Sequence, residues 1–387
     1  MGPDRDVDLG RRLAVLLERA VDRGRSVQHG LLAVSRSQGE WQWQGAHGVA
    51  DAAGTPITTA TPYPIASITK MFTAVVVMRL QERGVLRITD RVVDHLPAEV
   101  TAGLHVHDSV EHTADILLEH LLSHTSGLPD YYEDAGADAV SLQARLLAGE
   151  DVEVPFDHML QLVKGELSPK FAPQPPDAPR RKAHYADTNY ALLGAVIEAV
   201  TGKPLHQVFA TELFDPLGLD QTSSYPHDPP SGPRATPVAS VWAKDVVLQT
   251  DGMLRSSSAD GGIISTLDDQ LRFLRALARG EVFDRPDTFA QMQQRFDRVF
   301  FPIDYGLGLM RYAPSRWMSP LQRIPPVVGH TGSTATWLLY CHELDLCLAG
   351  TFDVAKPALP FRFVTRVLHA VQRAAPRSTH ATPQPVN

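Results

Sequence analysis

The sequence predicts an α/β (α+β) fold, in which a central antiparallel sheet is flanked by helices and is built from both ends of the chain. A helix pattern and short strands come first, a largely helical stretch fills the middle, and short strands with one last helix follow. We therefore expect residues 1–85 and 238–373 to form one α/β domain and residues 86–237 to form a helical domain. Residues 374–387 are expected to be a disordered tail.

The first part of the chain alternates between helix and strand patterns. Apolar residues recur at helical spacing over residues 9–21, which predicts a helix. Residues 31–34 and 41–44 have the pattern of two strands joined by a turn. A further helix is predicted over residues 68–83, where the apolar positions recur every three or four residues until Gly84 ends the pattern.

The middle of the chain is polar and mostly helical, and strand patterns return after it. Two proline-rich stretches, at 168–180 and 226–237, predict loops, because proline cannot donate a backbone hydrogen bond and disrupts a helix interior. The other helices are predicted at 115–122, 141–148, 157–164, 189–201, 204–214, 266–278 and 361–373. The other strands are predicted at 305–312, 326–330, 335–341 and 346–352.

Composition and charge narrow the class of protein. The 387 residues are 43% hydrophobic and 21% charged, which suits a globular protein with a sizeable core. The formal net charge of −8 argues against nucleic acid or an anionic membrane as a partner, since both select a basic face. The chain begins without a signal-peptide pattern and contains no apolar run long enough to span a membrane. A cytoplasmic protein is therefore expected, although a leader already removed would leave the same sequence.

The two cysteines, Cys341 and Cys347, are too few for a disulfide framework. They flank a predicted strand–turn–strand. A bridge is possible at that spacing, but two reduced thiols within packed strands are the expected state.

A serine and a lysine three residues apart form the first candidate for chemistry. Ser67 stands where an extended segment turns into the 68–83 helix, and Lys70 lies on the same helix face. An alcohol becomes a good nucleophile only when a neighbour accepts its proton, and a lysine can do so only if its pKa is lowered toward neutrality. The start of the helix also favours negative charge that develops nearby. This spacing alone matches a capping serine and a surface lysine equally well.

Two later stretches add candidates. Tyr185 lies in a loop just before a predicted helix, where a phenol can share a proton with a lysine. The stretch His330-Thr331-Gly332-Ser333 ends a predicted strand, and its glycine permits close approach of a ligand. Taken separately, these stretches would be a packed aromatic residue and a turn between strands.

Together the three elements resemble the signature of penicillin-recognising serine enzymes. The resemblance is to the branch of class C β-lactamases, D,D-peptidases, and related family VIII-type esterases and acyltransferases. In that branch the second element is Tyr-x-Asn and the third can begin with histidine. Three further stretches, 121–129, 260–266 and 305–308, look like landmarks of the branch and follow in its order. The resemblance covers most of residues 10–372.

The resemblance implies a role for each matching position. Ser67 would be the acylated nucleophile, and Lys70 and Tyr185 would share the work of general base and acid. The backbone N–H groups of Ser67 and Ser333 would form the oxyanion hole. The residues expected to bind substrate are Asp187, His330, Thr331 and Gly332. No cofactor and no metal are implied, and the partners would be a small-molecule acyl donor with or without an amine or alcohol acceptor.

Two positions depart from the pattern of the branch. Asp187 stands where the β-lactamases and peptidases carry asparagine, and a carboxylate cannot donate a hydrogen bond to a substrate carbonyl. His330 stands where the β-lactamases carry lysine, so a permanent cation is replaced by a mostly neutral group. Both departures weaken the case for β-lactam or peptidoglycan substrates and favour a neutral ester or acyl transfer.

Several functions stay open on the sequence. The first is hydrolysis of a small-molecule ester through an acyl-Ser67 intermediate. The second is transfer of the acyl group to an amine or alcohol in secondary metabolism, and β-lactamase or D,D-peptidase activity is a further alternative. An inactive binding module is disfavoured because the serine, lysine and tyrosine are all present. A zinc site at His120 and His124 is also disfavoured, because the glutamate expected after the first histidine is absent.

Overall fold

An antiparallel sheet of eight strands forms the centre of the fold. The computed structural model describes residues 3–22, 27–137, 139–224, 237–314 and 323–374. The strands of the sheet are β1 (His29–Arg36), β2 (Gln42–Gly48), β3 (Asp297–Phe300), β4 (Ile303–Tyr305), β5 (Met310–Tyr312), β6 (Val327–Thr331), β7 (Thr336–Cys341) and β8 (Leu346–Thr351). Their order across the sheet is β3-β4-β5-β6-β7-β8-β1-β2, so the two ends of the chain meet where β8 pairs with β1. The predicted fold class and its construction from both chain ends are confirmed.

Two terminal helices cover one face of the sheet. Helix α1 (Pro3–Asp22) and helix α5 (Leu359–Ala374) pack against each other and against the strands. The side chain of Trp337 on β7 is fully buried there, with its ring centre 5.5 Å from that of Phe363 on α5. Both helices are amphipathic, so their apolar sides are removed from water against the sheet while their polar sides stay exposed.

The other face carries the helices that position the candidate site. Helix α4 (Leu267–Ala278) packs on β8, β1 and β7. Helix α2 (Thr69–Glu82) follows a single 3₁₀ turn, Ala66–Ile68, and contacts helix α3 (Asp187–Thr201). Eleven of the 14 residues of α2 are buried, as expected for a helix enclosed by protein on all sides rather than one at the surface.

Shorter elements fill the segment between α2 and α4 and the remaining connections. The other α-helices are Ala98–Thr101, Leu118–Leu122, Leu142–Leu147, Phe156–Gln161, Leu205–Phe209, Asp215–Leu217, Asp251–Ser256 and Thr288–Gln291. Further 3₁₀ turns lie at Val92–Asp94, Thr113–Asp115 and His342–Leu344, and π-helical turns at Leu162–Glu166 and Ala210–Phe214. A small sheet joins Tyr63–Pro64, Ile263–Ser265 and Ser223–Ser224, and two short hairpins join Val106–His107 to Val110–Glu111 and Trp242–Ala243 to Val246–Val247.

One predicted strand is two strands in the structure, and one of the two predicted proline-rich loops is confirmed. Residues 305–312 form the end of β4, a turn, and β5, because the apolar pattern continues through a tight turn at Gly306 and Gly308. Residues 168–180 contain no helix or strand, as their prolines predict. Most of the predicted loop at 226–237 and nearly all of the predicted tail at 374–387 lie outside the described residues.

The two cysteines are free and buried, as expected. Cys341 ends β7 and Cys347 lies on β8 opposite Tyr340. Side chains alternate between the faces of a strand, and the two thiols therefore point into different cores on opposite faces of the sheet. A bridge between them is excluded by this placement. No helix in the described part of the chain has the length and hydrophobicity needed to span a membrane.

Candidate active site

Ser67 lies in the 3₁₀ turn that leads into α2. The strand Tyr63–Pro64 pairs with Ile263–Ser265 and fixes the approach to this turn, after which Ala66 adopts a left-handed backbone conformation with a φ of 47°. Such a conformation is strained for an alanine and persists only where the surroundings enforce it. The result is that Ser67 stays half-buried at a cavity wall, while Lys70, one turn further on, is fully buried. The Nζ atom of Lys70 lies 3.3 Å from Oγ of Ser67.

The surroundings of Lys70 are acidic. Its Nζ lies 2.6 Å from Oδ1 of Asp187 and donates a hydrogen bond of 2.8 Å to the backbone carbonyl of Asp260. Burial favours the neutral amine, but the charges of Asp187, Tyr185 and Asp260 outweigh burial and raise the pKa of Lys70 above its ordinary value. The condition for a lysine base, a pKa lowered toward neutrality, is therefore not met here. Lys70 is a cation held between acceptors.

Tyr185 completes the cluster. Its ring centre lies 5.1 Å from Nζ of Lys70, and its side chain lines the same cavity as Ser67. Burial raises the pKa of Tyr185, and the charge of Lys70 opposes that rise only in part, so the phenol is neutral. The structure thus brings together the three residues expected to carry the chemistry: a serine, a buried cation and a phenol with a proton to give.

His330 takes a different place from the one predicted. It is fully buried on β6, its Nδ1 donates to the carbonyl of Thr331 at 2.7 Å, and its Nε2 accepts from the hydroxyl of Tyr305 at 2.9 Å. Burial and the charge of Lys70 lower the pKa of His330 to about 3, so the ring is neutral, as the sequence suggested. Because both nitrogens are engaged within the protein, the ring lies behind the cavity wall and not on it. The expected direct contact with substrate is not what the structure shows.

The residues that follow His330 do reach the cavity. Thr331, Gly332 and Ser333 line it at the end of β6. A Cβ atom at Gly332 would lie 2.2 Å from Oγ1 of Thr336 and 2.8 Å from Cβ of Ala66, so only glycine lets this strand approach the nucleophile turn so closely. The approach places Ser333 and Ser67 on the same cavity walls, the arrangement that the predicted oxyanion hole requires.

Two cavities meet at Ser67 and Ser333. The larger, of about 380 Å³, is lined mainly by apolar side chains. Its lining includes Glu133, Tyr185, Phe300, Phe301, Pro302, Met310, Pro357, Ala358 and Phe361. The smaller, of about 70 Å³, lies on the side of Asp187. Its lining includes Tyr132, Leu146, Val241, Met253, Leu254, Ser257 and Asp260.

Several supporting residues were not identified from the sequence as functional. His124 stacks on Tyr185 with ring centres 4.4 Å apart, and its Nδ1 accepts hydrogen bonds from Asn189 and from the backbone of Ala186. Oδ1 of Asp130 accepts the backbone N–H of Asp187 at 3.0 Å. These contacts fix the start of α3, and with it Tyr185. The signal for them was indirect, since His124 falls within the 121–129 landmark and Asp130 comes directly after it.

Two acids of the site, Asp260 and Glu133, were also missed. Burial, reinforced by the charge of Asp187, raises the pKa of Asp260 to about 7 and raises that of Glu133 as well. The sequence does not show that Asp187 lies near them, because it is distant along the chain from both. The two histidines weighed as a zinc pair bind separate groups, since Nδ1 of His120 accepts the backbone N–H of Leu117.

The fold and the cluster of Ser67, Lys70 and Tyr185 define an active-site serine enzyme. The family model described as Beta-lactamase matches residues 17–371, and the chain belongs to that family. Among relatives, esterase EstB of Burkholderia gladioli is 33% identical over 54% of this chain and 50% of its own length. Penicillin-binding protein 4* of Bacillus subtilis is 27% identical over 72% of this chain and 56% of its own length. The chain thus spans about half the length of these curated relatives.

Solved structures share the fold. A D-amino acid amidase from Ochrobactrum anthropi SV3, crystallised with L-phenylalanine, superposes with a TM-score of 0.74 at 22% identity, covering 95% of this chain and 99% of that one. EstCE1, described as a hydrolase with promiscuous acyltransferase activity, superposes with a TM-score of 0.72 at 22% identity, with coverage of 95% and 99%. At this identity the likeness concerns the fold alone.

Proposed function

We propose that the protein hydrolyses small-molecule esters or amides through an acyl-Ser67 intermediate, and that its substrates are neutral or positively charged near the acyl carbonyl. One observation carries the proposal. Among the described residues that line the two cavities there is no lysine, arginine or histidine, whereas Glu133, Asp187 and Asp260 are present. A substrate that must be held by its carboxylate finds no cation on these walls.

The state of Glu133 supports a cationic ligand in the larger cavity. Its Oε1 accepts a hydrogen bond from the neutral amide of Gln143 at 2.9 Å. Glu133 is exposed as a whole, but partial desolvation of its carboxyl group and the charge of Asp187 raise the pKa of Glu133. A nearby ammonium would lower that pKa again by stabilising the charged form. A bound cation therefore stabilises the charged carboxylate of Glu133, whereas a second anion destabilises it.

The apolar part of the larger cavity suits an aromatic or aliphatic acyl group. Phe300 and Phe301 form its rim and remain 45% and 61% exposed, which is unusual for phenylalanine. Exposed aromatic residues beside a cavity are typical of ligand-binding sites. Relatives whose names point to esters and amides, such as EstB and the D-amino acid amidase crystallised with phenylalanine, are consistent with this substrate class.

Three matched methyl esters test the charge preference. Methyl 3-phenylpropanoate is neutral, and replacing one C3 hydrogen with an ammonium or a carboxylate introduces a charge of either sign at the same position. We expect kcat/KM at pH 7 to be at least about ten-fold lower for the carboxylate ester than for the ammonium ester, because like charges repel in a poorly solvated site. Hydrolysis is followed by chromatography of the released acid.

The variant Glu133→Gln isolates the residue responsible. It should reduce the ratio between the ammonium and carboxylate esters about three-fold or more while leaving the neutral ester nearly unchanged. Glu150→Gln is the matched control, since Glu150 is exposed, pairs with Arg145 and lines neither cavity. A wild-type enzyme that cleaves the carboxylate ester fastest would contradict the proposed substrate class.

Acyl transfer is a second candidate function, and the meeting of two cavities at Ser67 favours it. An acyl group bound in the larger cavity leaves the smaller one for an acceptor, and its apolar wall of Leu146, Val241 and Met253 suits a small alcohol or amine. The likeness in fold to EstCE1 is consistent with this reading.

Partition of the acyl-enzyme tests the transfer. With a neutral ester as donor and n-propanol as acceptor, we expect the ratio of propyl ester to free acid to rise and then saturate as the propanol concentration increases. Leu146→Trp, which fills the smaller cavity, should lower that ratio several-fold with little change in ester consumption. A ratio that rises without saturation, equally in both proteins, would mean that propanol attacks from solvent and that no acceptor site exists.

A further inference from the structure

The buried contacts of Lys70 hold it as a cation. Its Nζ donates hydrogen bonds to Oγ of Ser67 at 3.3 Å and to the carbonyl of Asp260 at 2.8 Å. It also forms an ion pair with Oδ1 of Asp187 at 2.6 Å, although this contact lacks the angles of a hydrogen bond. An ammonium carries three N–H donors and no lone pair. A proton leaving Ser67 can therefore enter Lys70 only if another proton leaves Lys70 at the same time.

Asp187 is the acceptor that the geometry offers for that second proton. A backbone carbonyl is a very weak base, and the phenol of Tyr185 already holds its own proton. The Asp187 side chain is only 12% exposed and makes the shortest contact to Nζ. Its backbone is held in place by Asp130, so the carboxylate is positioned by the fold and not by substrate.

We propose that Asp187 is the terminal acceptor of the Ser67 proton, which it receives through Lys70. This inference rests on the proposed acyl-Ser67 function. As Oγ of Ser67 bonds to the substrate carbonyl carbon, its proton passes to Nζ while an Nζ proton passes to Oδ1 of Asp187. Lys70 keeps its positive charge throughout, Asp187 becomes a neutral acid, and the negative charge moves to the carbonyl oxygen. When the intermediate collapses, the bond between the carbonyl carbon and the leaving group breaks and the carbonyl double bond re-forms. Asp187 returns its proton to Nζ as Nζ donates a proton to the leaving group, so Lys70 remains a cation and Asp187 a carboxylate.

Other titratable groups surround this pair and share its electrostatic field. They are Asp130, Tyr131, Tyr132 and Glu133 on one side, Tyr185, Tyr190 and Tyr305 around the start of α3, Asp260 from the segment before the strand Ile263–Ser265, and His124 and His330 behind Lys70. Burial and the charge of Asp187 raise the pKa of Asp130 well above its usual range. Asp157→Asn serves as the matched control, because Asp157 is exposed and lines neither cavity.

The rate at which a fluorophosphonate modifies Ser67, measured by intact mass from pH 4 to pH 10, tests the relay without requiring turnover. In the wild type we expect the rate at pH 7 to lie on the plateau of the profile, because Lys70 need not lose its proton before Ser67 reacts. In Asp187→Asn, Lys70 must first lose its proton, so the acid limb should move to higher pH and the rate at pH 7 should fall about ten-fold or more. Asp157→Asn should keep the acid limb of the wild type.

Asp187→Glu is a second variant that tests the relay even if Asp187→Asn misfolds. It keeps a carboxylate one methylene further out, and its acid limb should stay near that of the wild type even if its maximal rate is lower. An acid limb that coincides in the wild type and Asp187→Asn, or one that moves equally in Asp187→Glu, would overturn the relay. Absence of any modification of Ser67 in the wild type would instead overturn the proposed function, so the two failures are distinguishable.

Discussion

Replacing Ser67 with alanine is expected to lower ester hydrolysis about 10⁴-fold or more, because the covalent intermediate cannot form without Oγ. The rate that remains should come only from binding of the substrate and polarisation of its carbonyl group. The measurement combines turnover of p-nitrophenyl butyrate with intact-mass detection of the acyl adduct after rapid quenching. We expect an adduct on the wild type and none on Ser67→Ala.

A serine away from the site provides the control for this variant. Ser35 is fully buried on β1, and its Oγ has no hydrogen-bond partner among the described atoms. Ser35→Ala therefore removes a hydroxyl that contributes little to the fold, and both turnover and adduct should persist. If Ser67→Ala kept wild-type turnover, or acquired the adduct, another residue would have to be the nucleophile.

The elements that the sequence predicted well are those with a strong and continuous apolar pattern. Helix α2 was predicted at 68–83 and lies at Thr69–Glu82, and β7 was predicted at 335–341 and lies at Thr336–Cys341. Their apolar residues are buried on a repeating period, so local pattern and tertiary packing agree. The single strand predicted at 305–312 fails because the same pattern crosses a turn, and a turn of this kind depends on backbone conformation more than on hydrophobicity.

The part of the site that could be predicted from the sequence consists of residues that are close together along the chain. Ser67 and Lys70 are one helical turn apart, so their proximity follows from the helix. The charge of Lys70 was not predictable in this way, because the carbonyl it binds belongs to Asp260, which lies 190 residues further along the chain. A pKa is set by every charge within a few ångströms, and the sequence does not show which charges those are.

The site of His330 illustrates a second limit. The sequence indicates that this residue ends a strand and is mostly neutral, and both statements agree with the structure. Which side of the strand faces the cavity depends on the register of β6 with β7, where His330 lies opposite Leu338. Since successive side chains alternate between faces, the neighbouring Thr331 reaches the cavity and His330 does not.

The second large effect is expected at Gly308, where the turn between β4 and β5 meets α2. This glycine has a φ of 74°, and a Cβ atom there would lie 2.1 Å from Cβ of Ala74. Gly308→Ala therefore combines a left-handed alanine with overpacking against a helix that is buried on every side. The free energy of unfolding should fall by about 2–5 kcal/mol, measured by urea denaturation.

Gly280→Ala separates the two contributions to that loss. Gly280 has the same φ of 74°, but the nearest atom to its added Cβ would be 3.9 Å away, an ordinary contact. This control should lose only the conformational part, about 1–2 kcal/mol. Equal losses in the two variants would show that α2 yields to the extra methyl group. A larger loss at Gly308 would instead show that α2, which presents Ser67 and Lys70 at its start, is held rigidly by this turn, as a preorganised nucleophile requires.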